Sequence, residues 1–250
     1  MDNALQLILF APPEQTLPAS AKALRAPMAY RIGPGPTLQR VAALPDLRGG
    51  ILAVTGEPGC LAGGGSPQLL LRQLQRECQG RGAAGLWLNL EPQPQSQAAP
   101  LLNGLETLAQ RSRRPLWVPE WCAPMVSHAN LLISSALSGG TLRARLEEAI
   151  QTYGQTRVTL AVEPMAEDFA LPSPTGQGKP LTGAELQQLM ERLHPNVFYS
   201  TELCAHYFTF LQRGMPHFIL FDNPGSVRKK VALAEQLGLR YGLVPWDFWR

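Results

Sequence analysis

The sequence predicts an α/β fold, a single (β/α)8 barrel over residues 1–250 with a small α+β insertion after the seventh strand, at about residues 168–223. Three observations carry that expectation. The chain has 250 residues, the usual size of one such barrel. Apolar runs of strand length alternate with helical patterns through most of it, the rhythm of parallel strands joined by right-handed crossovers. Gly85-Leu86-Trp87-Leu88-Asn89-Leu90-Glu91-Pro92 alternates strictly, which marks a strand with two different faces. In a parallel barrel the leucines of that strand pack beneath helices, while Trp87, Asn89 and Glu91 turn inward. Polarity on the inner face rises toward the C-terminal end, where the catalytic residues of such barrels sit.

Taken in order, Leu5–Phe10 is a short apolar run that reads as a buried first strand. Three prolines and no amphipathic period make Ala11–Ala26 a loop or a short irregular helix. Met28–Ile32 is the second strand, closed by Gly33-Pro34-Gly35-Pro36. Leu38, Val41 and Leu44 then give Thr37–Leu44 helical spacing. Gly50–Thr55 is the third strand. The Gly63-Gly64-Gly65 loop after it lacks the Gly-Lys-Ser/Thr of a phosphate-binding loop. Ser66-Pro67 has the form of an N-cap with proline at the first helical position, and Leu70, Leu71 and Leu74 mark the inner side of a helix to about Gln79.

After the alternating fourth strand the cycle repeats. Leu101–Ser112 is a helix, Pro115–Trp121 a strand, Asn130–Ala136 another, and Thr141 caps a helix through Tyr153. Arg157–Val162 is the seventh strand, ending in Glu163-Pro164. The rhythm breaks at Asp168. Pro172-Ser173-Pro174-Thr175-Gly176 is a loop, and Thr182 with Glu185 forms a capping box for a helix to Leu193. Val197–Tyr199, Ala205–Phe210 and His217–Phe221 are short strands, the last two a hairpin over Gln212-Arg213-Gly214. Ser226 caps a helix whose Arg228, Lys229 and Lys230 read as a solvated face, and Arg240–Trp246 is the eighth strand.

Composition narrows the function classes. A hydrophobic content of 45% is ordinary for a packed core, and a net charge of +3 is too slight to imply nucleic acid or an acidic membrane surface. Leu5–Phe10 is too short to span a membrane and has no basic segment before it, so a cytoplasmic location is expected. Cys60, Cys78, Cys122 and Cys204 have no C-x-x-C spacing and no histidine at ligand intervals, which argues for free thiols and no metal.

Two stretches resemble glycoside hydrolase family 18, the family of chitinases, endo-acetylglucosaminidases, spore-cortex enzymes and their inactive relatives. The family carries D-G-x-D-x-D-x-E on its fourth strand. Here Ala84-Gly85-Leu86-Trp87-Leu88-Asn89-Leu90-Glu91 keeps the glycine and the glutamate and replaces all three aspartates. The ending, Phe221-Asp222-Asn223-Pro224-Gly225-Ser226 through Lys230 and then Gly238 to Trp246, is similar to the family's last helix and its eighth strand, which closes on tryptophan. The resemblance implies a TIM barrel, a carbohydrate ligand of the acetylamino-sugar type, chitin-like or peptidoglycan-like, and no cofactor.

On that resemblance Glu91 takes the place of the acid that protonates the leaving-group oxygen, while the sugar's own acetamido group attacks the anomeric carbon. Asn89 takes the place of the aspartate that orients the acetamido group; an amide hydrogen-bonds but does not offset a full charge. Trp87 replaces another aspartate and would fill the barrel interior. Leu132-Ile133-Ser134-Ser135-Ala136 lacks the family's sixth-strand tyrosine. Trp246 would be the floor on which a sugar ring stacks, with Glu120, Glu163, Trp121 and Tyr199 as further substrate-binding candidates at the rim. An alternative chemistry uses two carboxylates, Glu91 after the fourth strand and Glu163 after the seventh, as in the retaining glycosidases of the large barrel clan. A catalytically silent barrel that binds glycan or a protein partner is the other function class. The lost aspartates favour it; the retained glutamate and the aromatic C-terminal end favour the enzyme.

Overall fold

The computed structural model of the chain describes residues 5–15, 17, 23–43, 47–62, 66–137, 139–173 and 176–249. The Gly63–Gly65 loop, Leu44, Pro174 and Thr175 fall outside them. The first third of the chain is mostly strand: β1 (Gln6–Ala11), β2 (Ala23–Pro27), β3 (Tyr30–Gly33), β4 (Thr37–Arg40) and β5 (Ile51–Gly56). Helix and strand then alternate through α1 (Pro67–Gly80), β6 (Gly85–Leu90), α2 (Gln95–Ser112), β7 (Leu116–Pro119), β8 (Asn130–Ser134), α3 (Leu142–Tyr153) and β9 (Val158–Ala161). A second group follows: β10 (Ala166–Ala170), β11 (Lys179–Pro180), α4 (Gly183–Leu193), β12 (Phe198–Ser200), β13 (Ala205–Gln212) and β14 (Met215–Phe221). The chain closes with α5 (Pro224–Gln236), β15 (Tyr241–Pro245) and the one-turn α6 (Trp246–Trp249).

One sheet runs β2-β1-β15-β9-β8-β7-β6-β5-β3-β4, parallel throughout except for the β3–β4 hairpin. β2 and β3 are two halves of one bent strand, separated only by Met28 and Ala29. The first half pairs with β1 (Leu7 opposite Ala23) and the second with β5 (Tyr30 opposite Val54). The sheet therefore meets itself through this strand, and the ring is a barrel of eight strands.

The alternation read from β6 is the alternation of the barrel. Leu86, Leu88 and Leu90 join the core between strands and helices, with Leu70 and Leu74 of α1 and Leu101, Leu102 and Leu105 of α2. Trp87 joins the interior, with Ile8, Ala26, Ile51, Ala53, Trp117, Leu132, Ala161, Tyr241 and Leu243. Two edge-on aromatic pairs, Phe10–Trp87 at 5.2 Å and Trp117–Tyr241 at 5.0 Å between centroids, fill that interior, so it is a packed core and not a channel.

The helix layer departs from a complete (β/α)8 pattern. Among the described residues no α-helix follows β1 or the bent strand, and after β7 there is only the six-residue 3-10 segment Glu120–Met125. Pro124 within it has no N–H to donate to the turn before, which works against a longer helix there. The expected helix at Thr37–Leu44 is replaced by β4. The Gly33–Pro36 turn, with Gly35 at φ 71°, brings Leu38 opposite Ile32, and the run is too short to nucleate a helix of its own. Thr141 does cap α3, its hydroxyl accepting the Ala144 N–H at 3.0 Å. Thr141→Ala is expected to cost about 1 kcal/mol in a denaturant titration.

Two expectations about α5 are corrected. Its N-cap is Asn223, with Ser226 as the reciprocal partner of a capping box and Pro224 in the first turn. Lys230 is not on a solvated face. It is 0% exposed, and its Nζ donates to Asp222 Oδ2 at 2.7 Å. Asp222 Oδ2 also accepts the Met165 N–H at 3.1 Å, and Oδ1 accepts the Ser226 hydroxyl at 2.7 Å. A buried cation needs such a partner, and this network supplies it.

Between β9 and α5 lies a second, antiparallel sheet ordered β11-β10-β14-β13-β12. The β13–β14 hairpin turns over Arg213 and Gly214, both at positive φ, the geometry that matches the strand twist. Leu186, Leu189, Met190 and Leu193 of α4 cover one face by packing on Phe208, Ile219 and Phe221. The Asp222 network sits where this sheet returns to the barrel, since the Asp222 N–H also donates to the Met165 carbonyl at 2.8 Å.

Candidate active site

The C-terminal ends of the barrel strands form the mouth. Inward positions there are Thr55 of β5, Asn89 and then Glu91 after β6, Ser134 of β8, and Glu163 after β9. Three hydrogen bonds fix the backbone beneath Glu91. Its own N–H donates to the Gly56 carbonyl at 2.8 Å, Trp121 Nε1 donates to the Leu90 carbonyl at 2.9 Å, and Gln93 Nε2 donates to the Glu91 carbonyl at 3.1 Å. Gln93 is buried and also accepts from the Gly59 N–H and donates to the Glu57 carbonyl, tying the loop after β5 to the loop after β6. The Glu91 side chain is exposed, and among the described residues no hydrogen bond or ion pair engages its carboxylate. Asn89 is half-buried one step deeper, above Trp87.

Glu163 is the other carboxylate on the inner face. Its Oε2 accepts the Ser134 hydroxyl at 2.6 Å, and its backbone N–H donates to the hydroxyl of buried Ser135 at 3.2 Å. The paired serines at the end of β8 therefore set the position of Glu163.

The other candidates are not brought to this face. Trp117 points inward on β7, so Glu120, three residues on, faces the helix layer; its carboxylate meets the Arg145 guanidinium of α3 and raises that guanidinium's pKa. Trp121 is half-buried against the helix-side core and held by its bond to Leu90. Tyr241 and Leu243 point inward on β15, which turns Trp246 outward. It packs with Phe248 and Trp249 against the helix-side core. Tyr199 of β12 lines a side cavity of about 530 Å³ with Thr141, Glu202 and Gln236, and Lys229 Nζ lies 3.4 Å from its ring centroid. Burial raises the pKa of the Tyr199 phenol above its usual range.

No family model matches the sequence, and no curated protein does. Solved structures do match the fold. A chitinase from Chromobacterium violaceum aligns at TM-score 0.65 and 14% identity, over 98% of this chain and 95% of its own. A GH18 chitinase from Cycas revoluta, solved in complex with (GlcNAc)3, aligns at TM-score 0.64 and 14% identity, over 97% and 95%. The spore cortex-lytic enzyme SleL of Bacillus megaterium aligns at TM-score 0.65 and 12% identity, over 97% of this chain and 70% of its own. The fold is that of a glycoside hydrolase family 18 barrel.

In the ring of strands β6 stands fourth, and it carries Gly85–Leu90 with Glu91 directly after it. Three features of the site were not singled out from the sequence. Gln93 had a faint signal, an amide between two prolines at a strand end. Ser134 and Ser135 were visible as a polar pair ending an apolar strand. Asp222 and Lys230 both fall in the ending that resembles the family's last helix, but on a strand end and a helix eight residues apart they were not read as a pair. Among the described residues no group of three or more His, Cys, Asp or Glu could hold a metal, and no helix is long and apolar enough to cross a membrane.

Proposed function

We propose that the chain acts on or binds acetylamino-sugar polymers, chitin-like or peptidoglycan-like, at the barrel mouth, with Glu91 as general acid and Asn89 as the group that receives the acetamido. The observation that carries this reading is the state of Glu91: a carboxylate open to solvent, free of protein partners among the described residues, on a backbone held by three hydrogen bonds. Such a group is available to a ligand and held in place for it. The family 18 fold and the polysaccharide-degrading names of its structural neighbours support the substrate class. Glu163, oriented by Ser134, lines the same mouth as a second polar contact.

A second reading has a specific observation behind it. Asn89 is neutral, and Trp87 fills the interior below it at 3% exposure, so β6 itself supplies no second charge beside Glu91 for the acetamido. That favours a barrel that holds glycan without cleaving it. Calorimetric titration with chitotetraose and with a muropeptide, followed by product analysis of the same mixtures, tests both. Binding at micromolar to millimolar affinity is expected from either reading. Released sugar separates them, and no heat from either ligand at millimolar concentration would leave a glycan role without support. Trp246→Ala is expected to leave binding unchanged, since the ring packs against the helix-side core.

A further inference from the structure

The end of the barrel opposite the mouth carries an unassigned cluster of cations. Arg114 lies two residues before β7, Arg157 directly before β9 and Arg240 directly before β15. Parallel strands in one ring bring these positions to the same end. Together with Arg113 and His128 they line one open cavity of about 500 Å³. Glu106 is the only carboxylate in its lining, and it is already engaged: Oε1 accepts the N–H groups of Ser127, His128 and Ala129 at 2.9, 2.6 and 2.9 Å, and Oε2 accepts that of Ser127 at 3.1 Å. Burial works against ionisation of Glu106, but these donors outweigh it and lower its pKa, so it stays an anion dedicated to the backbone.

The arginines are not neutralised elsewhere. Arg157 donates to the Ala129 and Val126 carbonyls at 3.1 Å each, which fixes its guanidinium without balancing its charge. Arg240 lies 5.0 Å from the Tyr241 ring centroid. Among the described residues no ion pair engages Arg113, Arg114, Arg157 or Arg240. Four guanidiniums in one concavity concentrate there more positive charge than the +3 net charge of the whole chain.

We propose that this cavity is a binding site for a phosphate-bearing anion, separate from the glycan mouth. Guanidinium forks match oxyanions bidentately, and a concave site of one sign concentrates the opposite charge. A phosphoryl group offers more oxygens and more charge per group than a carboxylate, and so uses several converging arginines at once. The source is either a small soluble phosphate ester or a polymer-borne phosphodiester.

The test is calorimetric titration of the full chain at low salt with inorganic pyrophosphate, with poly(glycerol phosphate) and with citrate. Saturable binding of pyrophosphate identifies the soluble class, and binding of the polymer alone identifies the phosphodiester class. In either case Arg114→Gln combined with Arg240→Gln is expected to weaken affinity at least tenfold, and so is raising the salt to about 0.5 M. Arg157 is left intact because it braces the loop before β8. Heat from none of the three ligands at millimolar concentration would overturn the proposal. So would equal affinity for citrate, or binding that the double variant leaves unchanged. Chitotetraose titrated into the same double variant reports on the mouth alone, so the two sites succeed or fail separately.

Discussion

Asn89→Asp is expected to raise chitotetraose hydrolysis by about 10²-fold, and Glu91→Gln to reduce it to background. The first effect follows from charge. Positive charge develops on the acetamido group as it attacks, and an amide at position 89 offers only a dipole where a carboxylate offers an opposing charge. Deleting one electrostatic stabiliser of a transition state commonly costs 10²–10³-fold in rate, so restoring one returns a similar factor. The half-buried position of Asn89 strengthens the effect, because a charge partly withdrawn from water is screened less. The second effect follows from the proton. General acid catalysis contributes about 10²–10⁴-fold, and a glutamine has no proton to give. Initial rates with chitotetraose on wild type and both variants decide the matter. Undiminished turnover by Glu91→Gln would remove Glu91 as the acid and turn attention to Glu163. A silent Asn89→Asp with unchanged binding would favour the barrel that holds glycan without cleaving it.

Lys230→Met is expected to destabilise the protein by about 3–5 kcal/mol, a fall in Tm of roughly 10 °C. Both side chains of the Asp222–Lys230 pair are fully buried. Removing the ammonium leaves the carboxylate in a low-dielectric setting with only the Ser226 hydroxyl and the Met165 N–H to balance it. The loss is from stranding a charge, so Asp222→Asn together with Lys230→Met should recover most of it. Thermal unfolding of the two variants beside wild type is the check. A Tm for Lys230→Met within a degree of wild type would mean that Asp222 is not stranded.

The difference between what was legible and what was not follows from how information is stored along the chain. β6 was legible because a strand in a two-sided environment writes its faces at a period of two, and Leu86, Leu88 and Leu90 against Trp87, Asn89 and Glu91 wrote it clearly. The same rule would have turned Glu120 and Trp246 outward, since Trp117, Tyr241 and Leu243 face in. Reading a strand end as equivalent to a mouth position ignored that parity. Thr37–Arg40 carried three apolar residues at helical spacing nearby, but the pairing of β4 with β3 is a tertiary preference that outweighs so weak a local one. Lys230 was hidden for another reason. Charge in a helix normally signals water, and the carboxylate that cancels it lies across a turn with no periodic relation to it.

The seam of the barrel has a consequence for how the chain is made. The first strand, β1, lies between β2 and β15, with Gln6 opposite Tyr241, which follows it by 235 residues. A ribosome releasing about 5–20 residues per second therefore leaves one long edge of that strand unpaired until β15 has emerged. The open edge is apolar (Leu7, Ile8, Leu9 and Phe10) and is the kind of edge onto which other chains add. A nascent chain ending before Tyr241 should thus be a client for chaperones, and Tyr241–Pro245 acts as the clasp that takes it off them.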